Sequence, residues 1–291
     1  MRLIKNYMNN DTLRHELNTL TEATFGFNFE GWVTNGYFEG DYIPYSLEEN
    51  GKILSNVSAN IMKFQQNGKI RNYIQLGTVM TDENYRKQGL ARKLMEYVIN
   101  EYEDKCDGIY LFGDLDALDF YRKMGFEEKG QYRYSLKQDV IKNDNVGSFV
   151  KVSADDEELR NKYLEYVRES VAYGAFEQIN KYGLQMFYTA GFYNVYYSKD
   201  LDCFVVLDVE DGVLEIQSVI CKKYILLEQI ISSINIDYEK LRLGFTPRNE
   251  DLHLFECEEY DGGDDYRLFC RGERLNSIGE EKLYFPTLSH A

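Results

Sequence analysis

Apolar positions recur at spacings of three and four in a few short stretches and run in strand-like blocks in many more. The pattern predicts a strand-rich chain with a handful of helices. Leu13, Leu17 and Leu20 give one apolar face to a helix over 11–20, with Asp11 or Thr12 as its cap. An aromatic, glycine-rich stretch follows from Phe25 to Trp32, then Tyr37 and Phe38. Strands are expected over 42–47, 53–62 and 71–80, separated by the turn signals Asn50-Gly51 and Asn67-Gly68. Leu90, Leu94, Tyr97, Val98 and Glu101 keep helical spacing and predict a helix over 90–102. A short buried strand is expected over 109–112, a helix over 117–124 stopped by Gly125, and a final strand over 132–136.

The polar, Asn/Asp-rich stretch 138–147 then reads as a linker, dividing the chain into 1–137 and 148–291. The second part echoes the first in the same order. Tyr193 to Tyr196 matches Tyr42 to Tyr45, Ile216-Gln-Ser-Val219 matches Ile74 to Val79, a helix over 225–234 follows, and Leu241 to Phe245 matches Ile109 to Phe112. Each match is weak, and two unrelated α/β domains would also give such patterns. The shared order favours duplication.

The 291 residues carry 44% hydrophobic and 28% charged side chains, a balance that excludes a disordered tail. No run approaches the length of a transmembrane helix, so no membrane partner is expected. The first residues lack the apolar core of a signal peptide, and five cysteines without CxxC spacing suit free thiols in a reducing cytoplasm better than disulfides or a metal site. The net charge of −16 is unevenly spread: 20 acidic against 17 basic residues up to Lys137, and 29 against 16 beyond it. Such a surface excludes nucleic acid as a partner and suits a cationic one, although a solvated acidic loop explains the densest run, Glu250 to Asp265, equally simply.

Candidate chemistry gathers after the strand ending near Thr81. Arg86-Lys87-Gln88-Gly89-Leu90-Ala91 opens the 90–102 helix, and Arg92 and Lys93 add two more cations. A helix start carries unpaired N–H groups and partial positive charge, and Gly89 and Ala91 leave room for a bulky anion. Such a loop suits a phosphate or pyrophosphate; alone, it is also compatible with an ordinary strand-to-helix turn.

Two segments together resemble the GCN5-related N-acetyltransferase (GNAT) superfamily. One is Val79-Met80-Thr81 followed by Arg86-Lys-Gln-Gly89-Leu-Ala91. The other is Asp114-Leu-Asp-Ala117-Leu-Asp-Phe120-Tyr121-Arg-Lys-Met-Gly125-Phe126. Order and spacing both fit, and the resemblance covers residues 1–137. Asp114 departs from the pattern, because the family often has an Asn there that touches the cofactor. The resemblance implies an α/β (α+β) fold: a tandem GNAT arrangement with a mixed central sheet flanked by helices in each domain. The second copy is degenerate, since its gap from Cys221 to Ile225 is four positions without glycine where the first copy has nine.

The resemblance further implies acetyl-CoA as co-substrate and no metal. Its pyrophosphate is expected on the backbone of Arg86, Lys87, Gln88, Gly89, Leu90 and Ala91, its pantetheine along Val79, Met80 and Thr81, with Asp114 and Phe120 also beside the cofactor. An acceptor amine would attack the thioester directly, and Tyr121 would protonate the leaving thiolate. Trp32, Tyr37, Tyr42 and Tyr45 are expected to line the acceptor pocket. No general base stands out. The family's enhanced-intracellular-survival members bring a C-terminal carboxylate into the site, but no motif transfers that here, and His290 reads as part of a frayed tail. The second half is expected to complete the acceptor cleft, or alternatively to form a homodimer surface. A non-catalytic acyl-CoA-binding protein of the same fold is the alternative reading. Asp114 and the missing base favour it; Tyr121 and the two motifs oppose it.

Overall fold

The computed structural model describes residues 1–138 and 148–291. All but Gln138 of the expected linker lies outside the described residues. The first half supplies strands β1 (Arg2–Lys5), β2 (Tyr42–Glu49), β3 (Lys52–Gln66), β4 (Lys69–Thr81), β5 (Gly108–Asp114), β6 (Glu127–Lys129) and β7 (Gln131–Leu136). The second supplies β8 (Phe149–Lys151), β9 (Phe176–Gln178), β10 (Val195–Ser198), β11 (Cys203–Glu210), β12 (Val213–Ile220), β13 (Lys240–Leu243), β14 (Phe255–Tyr260) and β15 (Tyr266–Arg271). Among the helices, α1 (Asp11–Phe25), α2 (Glu30–Thr34), α3 (Leu90–Tyr102) and α4 (Leu118–Lys123) belong to the first half; α5 (Glu157–Glu169) and α6 (Tyr182–Thr189) open the second.

Two mixed sheets result. One runs β1-β2-β3-β4-β5-β15-β6, with β9 added to the far end of β3; the other runs β8-β10-β11-β12-β13-β7-β14. Their plans match. Each has an antiparallel ladder (β3 on β4, β11 on β12), then one short parallel pair (β4 on β5, β12 on β13). Each then receives an antiparallel strand from the other half of the chain: β15 lies on β5, and β7 lies on β13. The strand expected to finish the first sheet thus sits inside the second, and neither sheet is built from one side of the 138–147 stretch alone.

The helices follow from their local chemistry. Asn10, not Asp11 or Thr12, caps α1 by accepting from the Leu13 N–H at 3.1 Å, and the helix runs on to Gly26, a left-handed residue at φ 76°. Helix α3 buries Leu90, Leu94, Met95, Val98 and Ile99 on the first sheet, next to Tyr45, Leu47, Ile74 and Ile109. Between the sheets lies a second apolar seam, in which Phe285 stacks on Tyr110 at 4.2 Å and meets Phe64 and Phe176 edge-on. The final residues run through this seam from one sheet to the other.

Candidate active site

Strand β4 makes the site. Its pairing with β5 covers only Tyr73, Ile74 and Gln75; beyond Gln75 the two parallel strands splay. On its other side, β4 bulges opposite β3 between Gly77 and Met80. The bulge holds Thr78 at φ 40°, a conformation a β-branched residue adopts only under constraint. The constraint is a polar knot. The Thr78 hydroxyl lies 2.8 Å from the Tyr42 hydroxyl and 2.9 Å from that of Ser58, and the Asn56 amide donates to the Thr78 carbonyl at 3.0 Å. Val79 lines the resulting cleft, whereas the Met80 side chain turns away into the cluster of Leu17, Leu20 and Phe29. Thr81 shares a hydrogen bond with Ser55 at 2.8 Å.

Past Thr81 the chain makes a single 3-10 turn and reaches the basic loop. Arg86, Lys87, Gln88 and Gly89 are exposed, Leu90 is buried under α3, and Ala91 is half-buried. Lys87 and Gly89 both take left-handed backbone conformations, at φ 62° and 78°. Gly89 occupies the cap of α3 without any side-chain cap bond, and nothing lies within 4 Å of where its Cβ would stand. The first N–H groups of a thirteen-residue helix therefore face open space, and Arg86, Lys87, Arg92 and Lys93, all exposed, flank Gly89 in the chain. This geometry fits a diphosphate.

The cleft has a volume of about 380 Å³ and is bounded from three sources. The first is the first sheet: Tyr42, Asn60, Gln75, Gly77 and Val79, with Asp114 and Tyr121 beyond the splay. The second is an aromatic wall. Phe27 packs edge-on to Phe29 at 5.5 Å and to Phe187 of α6 at the same distance. Trp32 donates from its indole N–H to the Gly183 carbonyl at 2.7 Å, tying α2 to α6. The third is the end of the chain. His290 stacks on Phe112 at 3.7 Å, the Tyr188 hydroxyl donates to the His290 carbonyl, and the Gln75 amide donates to the Ala291 oxygen at 2.9 Å. Gly77 is required there, because a Cβ would come within 2.5 Å of that oxygen. The expected frayed tail is instead packed into the site.

Tyr121 reaches the cleft from α4 with only 6% of its surface exposed. Its ring lies against Gly113 so closely that a Cβ at that glycine would sit 2.5 Å from it. Burial, and after it the Asp114 charge, pushes the phenol above its ordinary range, so it holds its proton. Phe120 packs beside Tyr121 at 5.3 Å, against the first sheet's core rather than in the cleft. His290 is the opposite case. Burial pushes its imidazole down to about 3, outweighing a hydrogen bond with the Phe285 backbone, and leaves it neutral.

Of the expected acceptor-pocket residues, Trp32 and Tyr42 line the cleft. Tyr45 does not: it is a core residue, 1% exposed, whose hydroxyl donates to Tyr102 at 3.0 Å on the α3 side of the sheet. Tyr37 does not line it either; it packs on the α5–α6 cluster. Alternation explains the difference, because Tyr42 and Tyr45 lie three apart on one strand and so face opposite sides. The sequence reading missed Asp41, Asn180, Phe187 and Tyr188. The Phe25, Phe27, Phe29 run was a visible signal for the wall; nothing local marked the residues supplied by the second half.

Residues 41–128 match the acetyltransferase (GNAT) domain family. A 78-residue stretch is 35% identical to yeast (Saccharomyces cerevisiae) N-alpha-acetyltransferase 30, covering 25% of this chain and 43% of that protein, so the chain spans less than half the length of this curated relative. Among solved structures, an Enterococcus faecalis protein described as a probable N-acyltransferase superposes with TM-score 0.56 at 17% identity, over 95% of this chain and 74% of its own. A GCN5-related N-acetyltransferase from Kribbella flavida gives 0.55 at 16% identity over 93% and 72%. Eis1 from Mycobacterium abscessus gives 0.54 at 11% over 92% and 73%. At these identities the three likenesses speak for the fold, and they extend it over both sheets. Residues 41–128 thus carry the acetyltransferase (GNAT) domain match, on a two-sheet fold like that of these solved structures.

Proposed function

We propose that the protein transfers an acetyl group from acetyl-CoA to a primary amine at one site, built on the first sheet. The observation that carries the reading is the pairing of an uncapped helix start at Gly89 with the β4–β5 splay beyond Gln75. Residues 86–91 hold the diphosphate, the open edge of β4 at Val79 to Thr81 receives the pantetheine arm, and the thioester lies in the splay. The neutral amine attacks the thioester carbonyl. A C–N bond forms, the C–S bond breaks, the sulfur takes the Tyr121 proton, and the proton shed by the amine passes to solvent, from which Tyr121 is reprotonated. A raised phenol suits the donor's role, since it is protonated throughout the working range. The attacking N–H groups point to the Ala291 oxygen, held in place by Gln75. His290 is too weak a base at about 3 to take the proton; it positions Ala291 by its stack on Phe112. The second half completes the cleft through α6 and the tail rather than holding a cofactor of its own.

Titration calorimetry with acetyl-CoA, and release of free CoA thiol over a panel of amines, test this. A Gly89→Trp variant fills the open space over the helix start and is expected to lose at least tenfold in acetyl-CoA affinity while keeping its fold. No binding by the unaltered protein would overturn the reading. Binding without thiol release from any amine would favour a non-catalytic acyl-CoA-binding protein.

A further inference from the structure

Given acyl transfer to an amine, on which the identity of the acceptor rests, the cleft narrows the kind of amine it can take. Its outer wall is apolar and unfinished: Phe25 and Phe27 line it and remain 42% and 36% exposed. Large aromatic side chains left half-open in a cavity favour a flat or apolar body against them. Two carboxylate residues also line the cleft, Glu39 and Asp41. Glu39 is already paired with Arg168. Asp41 makes a hydrogen bond from the Asn180 amide at 3.0 Å, but no ion pair with any cation among the described residues; Lys63, the nearest in influence, does not reach it. Burial raises the Asp41 carboxyl above its ordinary value, as an uncompensated charge beside aromatic rings would.

The sheet fixes the backbone separation of Asp41 from Gln75 at the reacting end. The Asp41 carbonyl accepts from Ile61 on β3, and Ile61 faces Ile74 on β4, the neighbour of Gln75. Asp41 and Gln75 are therefore two strand spacings and one residue apart, about 10 Å. The cleft's volume of about 380 Å³ matches the acyl end together with a compact acceptor.

We propose that the acceptor is a small aromatic diamine, or an equivalent flat dication: one nitrogen is acylated beside Gln75 and Ala291, and the other sits on Asp41 while the ring lies against the wall formed by Phe27, Trp32 and Phe187.

Three amines separate the parts of the proposal: 1,4-bis(aminomethyl)benzene has the ring and two cations, benzylamine the ring and one, 1,4-diaminobutane two cations and no ring. Thiol release is expected to show kcat/KM at least tenfold higher for the first than for either other. Asp41→Asn keeps a side-chain oxygen for Asn180 and is expected to cut the ratio of diamine to benzylamine kcat/KM at least tenfold, mainly through KM. Phe27→Ser is expected to lower the ratio of ring diamine to diaminobutane. Equal kcat/KM for benzylamine and the ring diamine, or an Asp41→Asn effect of the same size on both, would overturn it. If no amine releases thiol, the acyl-transfer reading has failed. The seat on Asp41 is then decided by calorimetry with the bis(trimethylammonium) analogue of the ring diamine, which cannot be acylated. Binding weakened at least tenfold by Asp41→Asn supports the seat; unchanged or absent binding refutes it.

Discussion

Gly113 and Tyr121 form one device at the single-residue scale. The glycine lets an edge of the phenol ring pass close to β5, and any side chain there would meet the ring at 2.5 Å. Two variants separate chemistry from position. Tyr121→Phe keeps the ring and removes the acid, so thiol release is expected to fall about 100-fold with acetyl-CoA affinity unchanged, within the usual range for loss of a general acid. Gly113→Ala keeps the acid and displaces the ring. It is expected to cost about 1–3 kcal/mol of stability by overpacking, read from the urea midpoint, and to lower kcat without abolishing it. Equal turnover in Tyr121→Phe and the unaltered protein would assign the thiolate's proton to water instead. The same scale explains which candidate site residues were legible in the sequence. Gly89, Tyr121 and Val79 sit in local motifs that depend on near neighbours. Tyr45 looked as suitable as Tyr42, and only the pleat separates them: one reaches Thr78 in the bulge, the other Tyr102 behind the sheet.

At the scale of elements, the sequence pattern showed where most strands lie but not which strand pairs with which. Alternation marks a strand's two faces, while partner choice depends on edges that meet only after the chain has closed. The strand over 132–136 was therefore legible as β7 and still fell in the other sheet, antiparallel to β13 and β14. Its counterpart β15 occupies the matching place beside β5, with six residue pairs from Ile109 to Asp114. This exchange has a thermodynamic consequence. A fragment of residues 1–138 would leave the β5 edge bare and β7 without a sheet, and a fragment of 148–291 would leave β13 and β15 in the same position. Exposed edges with apolar faces associate rather than stay single. Each fragment expressed alone is expected to be unfolded or aggregated by circular dichroism and gel filtration. The two expressed together are expected to recover a folded one-to-one complex. A monomeric, cooperatively unfolding 1–138 fragment would contradict the exchange.

Over the whole molecule, the last residues connect the two sheets. Thr287 bonds the Gly244 carbonyl through its N–H at 2.8 Å and Glu215 through its hydroxyl at 2.8 Å, just where β12 and β13 part. Phe285 fills the seam, and His290 and Ala291 arrive at the splay of the first sheet. The second sheet's own splay thus seats the chain itself. This arrangement makes the site sensitive to acid through a group that takes no proton at working pH. His290 is neutral and half-buried in the folded protein with its Nε2 shut off from solvent, and its folded value is near 3 against an ordinary 6.5. Below 6.5 the released or unfolded tail binds a proton that the packed tail refuses, so stability present above that pH is lost as pH falls toward 3, by up to about 1.4 kcal/mol per unit. His290→Phe preserves the stack on Phe112 and removes the titration. The unaltered protein is expected to lose more of its urea midpoint between pH 7.5 and 5 than the variant does, and hydrogen-exchange protection over residues 285–291, corrected for the intrinsic exchange rate, is expected to fall with acid only when the histidine is present. The carboxylates titrate in both proteins and cancel in that comparison, which leaves the difference to His290. Identical pH slopes in the two proteins would mean that the tail leaves its seat without exposing the imidazole, and that its hold on the cleft rests on Phe285 and Thr287 alone.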